Sequence, residues 1–347
     1  MKWISVCLLG LVSLSCVTPS SPPQTGNGRP ELANPLTQAP PKDSEQILQT
    51  IAFGSCNRQD DQEQVHWDTI LQNKPDLWIW SGDNVYADTH DPRQLAATYE
   101  TQLANPAYQK FLTQVPVIGI WDDHDFADNN SGREAPQKEI SQQLFLDFIG
   151  EPPQSERRER QGIYEAYTFG PPDHQVKIIL LDTRYHREQP SARADILGVD
   201  QWHWLDMQLQ ASQAQVHILV SGIQIIPEEH PYETWAQFPL ARQKLLNLLI
   251  RHQTPNPIII SGDRHLAEIS QLAQTGRSHP RRLLEVTSSG LTHSYDDFSK
   301  EPNQHRIGKI FTGRNFGLID IEWLPGNPQV SVRIQDLQNQ TVLSYEP

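Results

Sequence analysis

The chain has 347 residues, and its 42 Asp and Glu against 28 Lys and Arg leave a formal net charge of −14 with the histidines neutral. That balance argues against a basic surface for nucleic acid, and the length suits one large domain or two small ones. An acidic protein that acts on anions needs local positive charge, which metal ions supply.

The first residues, MKWISVCLLGLVSLSC, carry one early lysine, then an apolar run too short to span a bilayer, then small residues. This is the layout of a secretory signal peptide over residues 1–16. Two endings stay open: cleavage after Ser15, or lipidation of Cys16. The stretch Leu14-Ser15-Cys16 resembles a bacterial lipoprotein signal, with Ser13 where a leucine is usual. Either ending implies export, to the periplasm or the cell surface. Residues 17–45 are rich in Pro, Ser, Thr, Gln and Asn without an apolar period, and are expected to form a disordered tether. A single domain then runs over residues 46–347, with no second linker and no internal repeat. Cys7 and Cys16 belong to the leader, so Cys56 is the lone thiol of the domain and has no partner for an internal disulfide.

Within the domain, short apolar runs alternate with segments of helical spacing. TIAFGS, DLWIWSG, PVIGIWD, VKIILLD, VHILVSG and NPIIISG predict buried strands, each ending in Gly, Ser or Asp. DQEQVHWDTILQNK, PQKEISQQLFLDFIG, VDQWHWLDMQLQAS and FPLARQKLLNLLIRHQ predict helices. NFGLIDIEWLPGNPQVSVRIQD predicts two antiparallel strands about a Pro-Gly-Asn turn. The alternation implies a layered α/β (α+β) domain whose sheet is covered on both faces.

Carboxylates and histidines follow these strands directly, where α/β enzymes gather catalytic groups. In SGDNVYAD, Gly82 allows a tight turn that aims Asp83 across the strand ends, and Tyr86 lies within reach of the same centre. Carboxylate and phenolate are hard oxygen ligands. In IWDDHDFADNN, Asp122, Asp123, His124 and Asp125 crowd together, and such clustering is costly unless a cation neutralises it. His124 suits a metal ligand or a proton donor. IIISGDRHLAEI repeats the arrangement: Asp263 and His265 flank Arg264, whose guanidinium suits an anionic oxygen or a neighbouring carboxylate. Arg184 in LLDTRYHR, His230 in IIPEEHPYETW and His293 in TSSGLTHS are further candidates for the rim. Cys56 ends its strand as these motifs do. A nucleophilic thiolate needs a base and an anion cradle, whereas acidic neighbours raise a thiol's pKa and a metal lowers it, so the metal-ligand reading is favoured.

Taken together, FGSCNR, LWIWSGDNVYAD, IGIWDDHDFADNNSG, LLDTRYHR, SGDRHLAEIS and TSSGLTHS resemble the alkaline phosphatase D (PhoD-like) family of calcineurin-like metallophosphatases, in matching order over roughly residues 50 to 335. The resemblance implies a four-layer sandwich, two packed mixed sheets flanked by helices. It implies Cys56 and Tyr86 as ligands of Fe(III), Asp83 as a carboxylate bridging two metals, and Asp123 on the second metal's side. Asp263 and His265 match the final ligand motif, and Ca²⁺, or another divalent ion, accompanies the iron. His124 and Arg264 would act on the phosphate or the leaving group, with Arg184, His230 and His293 as weaker substrate-binding candidates. The implied reaction is hydrolysis of phosphate mono- or diesters by attack of a metal-bound hydroxide. Two alternatives remain: a cysteine-dependent hydrolase using Cys56, and a non-catalytic calcium-binding surface protein.

Overall fold

The computed structural model describes residues 30, 32, 39–61, 63–274, 281–325 and 327–346. The expected leader with Cys16 and most of the expected tether lie outside the described residues, as does Gly326 of the Pro-Gly-Asn turn. In chain order come β1 (Asp43–Ser44), β2 (Thr50–Gly54), α1 (His66–Gln72), β3 (Leu77–Ser81), α2 (Pro92–Ala104) and α3 (Pro106–Leu112). Next are β4 (Val117–Ile120), α4 (Asp123–Phe126), α5 (Lys138–Phe148), β5 (Glu165–Phe169), β6 (Val176–Leu180), α6 (Gly198–Gln210) and β7 (Val216–Ser221). The chain continues through α7 (Pro239–Arg251), β8 (Pro257–Ser261), β9 (Ala267–Gln274), β10 (Arg281–Ser288), β11 (Arg306–Phe311), β12 (Asn315–Glu322), β13 (Gln329–Asp336) and β14 (Thr341–Tyr345).

These strands form two mixed sheets, ordered β1-β5-β6-β7-β8-β10-β9-β11 and β14-β13-β12-β2-β3-β4. Every strand expected from an apolar run is present, and β12 and β13 pair antiparallel from Asn315↔Asp336 to Glu322↔Gln329. The expected tether ends sooner than residue 45, because Asp43–Ser44 pairs in parallel with Thr168 and Phe169 of β5. Leu32 is also buried against the core.

The eight-stranded sheet separates two cores by the period of two that a strand imposes. Val176, Ile178 and Leu180 of β6, with Ile258 and Ile260 of β8, face the core shared with the other sheet. Ile179 and Ile259 face the opposite way, onto Leu205 and Leu209 of α6 and Leu245, Leu248 and Leu249 of α7. On the outer side of the six-stranded sheet, Trp78 and Trp80 pack edge-on against Trp67 of α1, beside Tyr108 and Phe111 of α3. Such aromatic pairs add about 0.5–1.5 kcal/mol beyond their buried area. The layers are therefore helix, sheet, sheet and helix.

Hydrophobic periodicity alone passes over α2 and α3, yet each opens on a recognisable cap. The Asp91 carboxylate accepts from the Arg93 backbone N–H, the Asn105 side chain accepts from those of Ala107 and Tyr108, and Pro92 and Pro106 open the two helices. β2, β3 and β4 run parallel, as do β6, β7, β8 and β10. Their carboxyl ends carry the acidic motifs.

Candidate metal centre

Each key side chain is presented by a turn at a strand end. Cys56 has φ 60°, Asp83 φ 48°, Asp263 φ 68° and His265 φ 51°. Left-handed backbone at a non-glycine residue costs of the order of 1–3 kcal/mol and concentrates at functional sites. The Ser-Gly pairs at the ends of β3 and β7 make room for one acid. A Cβ at Gly82 would lie 2.6 Å from the Cβ of Asp122, and one at Gly222 would overlap the Asp122 carboxylate.

Asp83, Asp122, Asp123 and Asp263 converge, with one carboxylate oxygen from each within 4.8 Å of the others. Asp83, Asp123 and His124 form a second such grouping. The Cys56 thiol donates to Asp83 Oδ2 at 3.3 Å and lies 3.1 Å from Ser289 Oγ, and the Tyr86 hydroxyl reaches Asp83 Oδ2 at 3.5 Å. The expected group of Cys56, Asp83, Tyr86, Asp123 and Asp263 is thus brought to one place.

Electrostatics show how unfavourable this cluster is by itself. Burial, then the neighbouring Cys56, holds the Asp83 carboxyl well above the usual range. Burial and then Asp123 push Asp263 up to about 7. Burial acts against the charged form of Asp123 too, but Arg184 and His124 outweigh it and pull that carboxyl down. Asp122 Oδ2 is buried with no hydrogen-bond partner among the described residues. Acids so placed call for a cation, and the thiol, phenol, carboxylate and imidazole donors fit a site for transition-metal and hard divalent ions. His265 matches this role: burial holds its imidazole neutral, with a pKa of about 3, and Nδ1 has no hydrogen-bond partner among the described residues.

Three supporting residues receive no separate role from the sequence, although Asp122 and Asp125 belong to the acidic cluster it marks. Asp122 belongs to the tetrad, although its neighbour Asp123 is the more obvious motif residue. Asp125 is scaffolding: its carboxylate accepts from the backbone N–H of Asp122 at 2.7 Å and that of Asn84 at 3.1 Å. Asp88 lies 2.5 Å from His124 Nδ1, which fixes the ring and leaves Nε2 for another partner. Burial opposes charge on His124, but Asp83 and Asp88 prevail and raise it to about 10. The Asp88 signal was present in the same SGDNVYAD motif, but only folding brings it across to His124.

The rim candidates divide. His293 joins, its ring 5.0 Å from that of Tyr86 and 4.4 Å from that of His265. Arg184 is fully buried behind the cluster, bonded to Asp122 at 2.5 Å and Glu233 at 2.6 Å. His230 is buried against Gln224 at 2.9 Å and does not line the cleft that opens over the cluster. Arg264 does line it, held by both oxygens of Glu301 at 2.7 and 2.6 Å and stacked on Tyr232. The cleft measures about 560 Å³, and His124, Asp263, His265, Arg187 and Glu233 also form its walls.

With this geometry in view, residues 51–322 match the sequence model of the PhoD-like phosphatases. The chain belongs to the PhoD-like phosphatase family. It is similar to alkaline phosphatase D of Bacillus subtilis (strain 168), with 20% identity over 276 residues, covering 64% of this chain and 47% of that protein. The chain thus spans about half the length of that curated relative. Among solved structures, one titled "Structure of PhoD" superposes with a TM-score of 0.67 at 16% identity, covering 90% of this chain and 74% of the other. "GAP50 the anchor in the inner membrane complex of Plasmodium" superposes at 0.57 with 12% identity, covering 87% and 89%. A PhoD-like chain therefore shares its sandwich with a protein titled an anchor, and the fold alone does not carry the chemistry.

Proposed function

We propose that this protein is an exported, metal-dependent hydrolase of phosphate mono- or diesters. The observation that carries the proposal is the buried carboxylate tetrad, whose Asp263 lines an accessible cleft, with the Cys56 thiol against Asp83. Cys56, Asp83, Tyr86, Asp123, Asp263 and His265 would hold the metals, with Asp122 beside them. Family resemblance favours Fe(III) with Ca²⁺. Metals in such a centre bind phosphoryl oxygens and make water nucleophilic near neutral pH. The chain's own contributions are positional. Arg184 orients Asp122, Asp88 orients His124, and His124 faces the cleft, where it can donate a proton to the leaving oxygen. The leader supports export, with release by cleavage after Ser15 or anchoring at a lipidated Cys16.

A Cys56 nucleophile is disfavoured. Burial raises the thiol above its ordinary value, and its hydrogen-bond partners among the described residues are Ser55, Asp83, Tyr86 and Ser289, none of them an imidazole base. Cys56→Asp is expected to retain part of the activity with altered metal content and visible absorption, whereas a nucleophile would lose all of it.

The direct test is hydrolysis of p-nitrophenyl phosphate and its bis ester by purified protein, before and after chelation, with elemental analysis and a visible spectrum. Chelator-sensitive turnover and a phenolate-to-iron absorption band are expected. Colourless zinc protein with turnover would replace the iron and keep the hydrolase. Metal binding without turnover on either ester would favour a calcium-binding surface protein.

A further inference from the structure

We propose that Arg187 is the cationic anchor for the substrate's phosphate group, an inference that rests on the phosphoesterase reading above. Arg187 lines the same cleft as His124 and Asp263, yet only 2% of it is exposed. One end of its guanidinium, Nη2, pairs with Glu233 Oε1, and the group stacks 5.3 Å from the Phe238 ring. Its Nε and Nη1 are buried and have no hydrogen-bond partner among the described residues. Idle N–H groups on a buried guanidinium are costly, and an orphaned donor at a cleft wall signals a missing acceptor. Phosphoryl oxygens are acceptors that match a guanidinium in both charge and geometry.

The other arginines near the cleft are held more fully, although Arg264 Nε also lacks a hydrogen-bond partner among the described residues. Arg184 spreads over Asp122, Asp123 and Glu233 and does not line the cleft. Arg264 is clamped by Glu301 and stacked on Tyr232 and Phe298. Glu233 ties the arrangement together, because its two oxygens take Arg184 and Arg187 respectively. Arg187 is thereby registered to the tetrad through Glu233, Arg184 and Asp122, so an ester seated on it lies over the metal-binding carboxylates.

The test uses the full chain loaded with metal, and inorganic phosphate as the probe. Calorimetry should show phosphate binding weakened by roughly 10- to 100-fold in Arg187→Gln, the range for a lost hydrogen bond to a charged group. The KM for p-nitrophenyl phosphate should rise in step, with metal content unchanged and partial recovery in Arg187→Lys. Unchanged phosphate affinity in Arg187→Gln would overturn the assignment, as would metal loss that accounts for the whole effect. Should Arg187→Gln not fold, Arg187→Lys keeps a cation beside Glu233, and wild-type affinity there would overturn it equally. Phosphate that binds through Arg187 in a protein hydrolysing no ester would instead sink the phosphoesterase reading and leave the anchor standing.

Discussion

Asp83→Asn is expected to make the metal-free protein more stable while removing its metal-dependent activity. Two unit charges 4.8 Å apart repel by about 3.5 kcal/mol at an effective dielectric of about 20. The fold carries this cost either as repulsion or as a proton held on Asp83. The raised carboxyl fixes the sign: a group whose folded pKa lies above its unfolded value weakens the fold once pH exceeds the unfolded value. Asparagine is nearly isosteric, tolerates the left-handed backbone at φ 48° and carries no charge. Chelator-treated Asp83→Asn should therefore gain about 1–3 kcal/mol at pH 7 in urea unfolding, a gain that fades towards pH 4. Added metal should stabilise the wild type and leave the variant nearly unmoved. A metal-free variant less stable than the wild type would show that the tetrad is not self-repelling.

Arg184→Ala should be the most damaging single change to the fold around the site. The guanidinium has no exposure and pairs with Asp122 and Glu233, themselves buried. Truncation leaves two acids without their cation and opens a cavity, and breaking a buried ion pair from one side costs about 3–5 kcal/mol. The effect should appear as a lower urea midpoint together with loss of bound metal, because Asp122 loses its orientation. Arg184→Lys should fall between, since an ammonium is a point charge that cannot span both acids as the planar fork does. An unfolding free energy within about 1 kcal/mol of wild type in Arg184→Ala would exclude this role.

The two variants bracket what is encoded locally and what is not. Asp83, Asp123 and Asp263 announce themselves by following apolar strands through tight turns, and Cys56 by being the lone thiol of the domain. Asp122 is harder to assign, because adjacent acids look alike in a string; only the gap left by Gly82 and Gly222 shows that its carboxylate also points inward. His230 and Arg184 sit in motifs of the right kind, yet packing turns one onto Gln224 and the other onto Glu233.

Sequence by itself determined the alternation of strands and helices, the acid-bearing turns and the family, because period-two burial, turn chemistry and motif order are properties of neighbouring residues. Tertiary structure decided which oxygens share a centre, that Asp88 meets His124, and that Arg187 keeps two idle donors at the cleft wall where Arg264 keeps one. Those pairings join residues 36 to 46 or more positions apart, and their partners are chosen by how two sheets bring their carboxyl ends together.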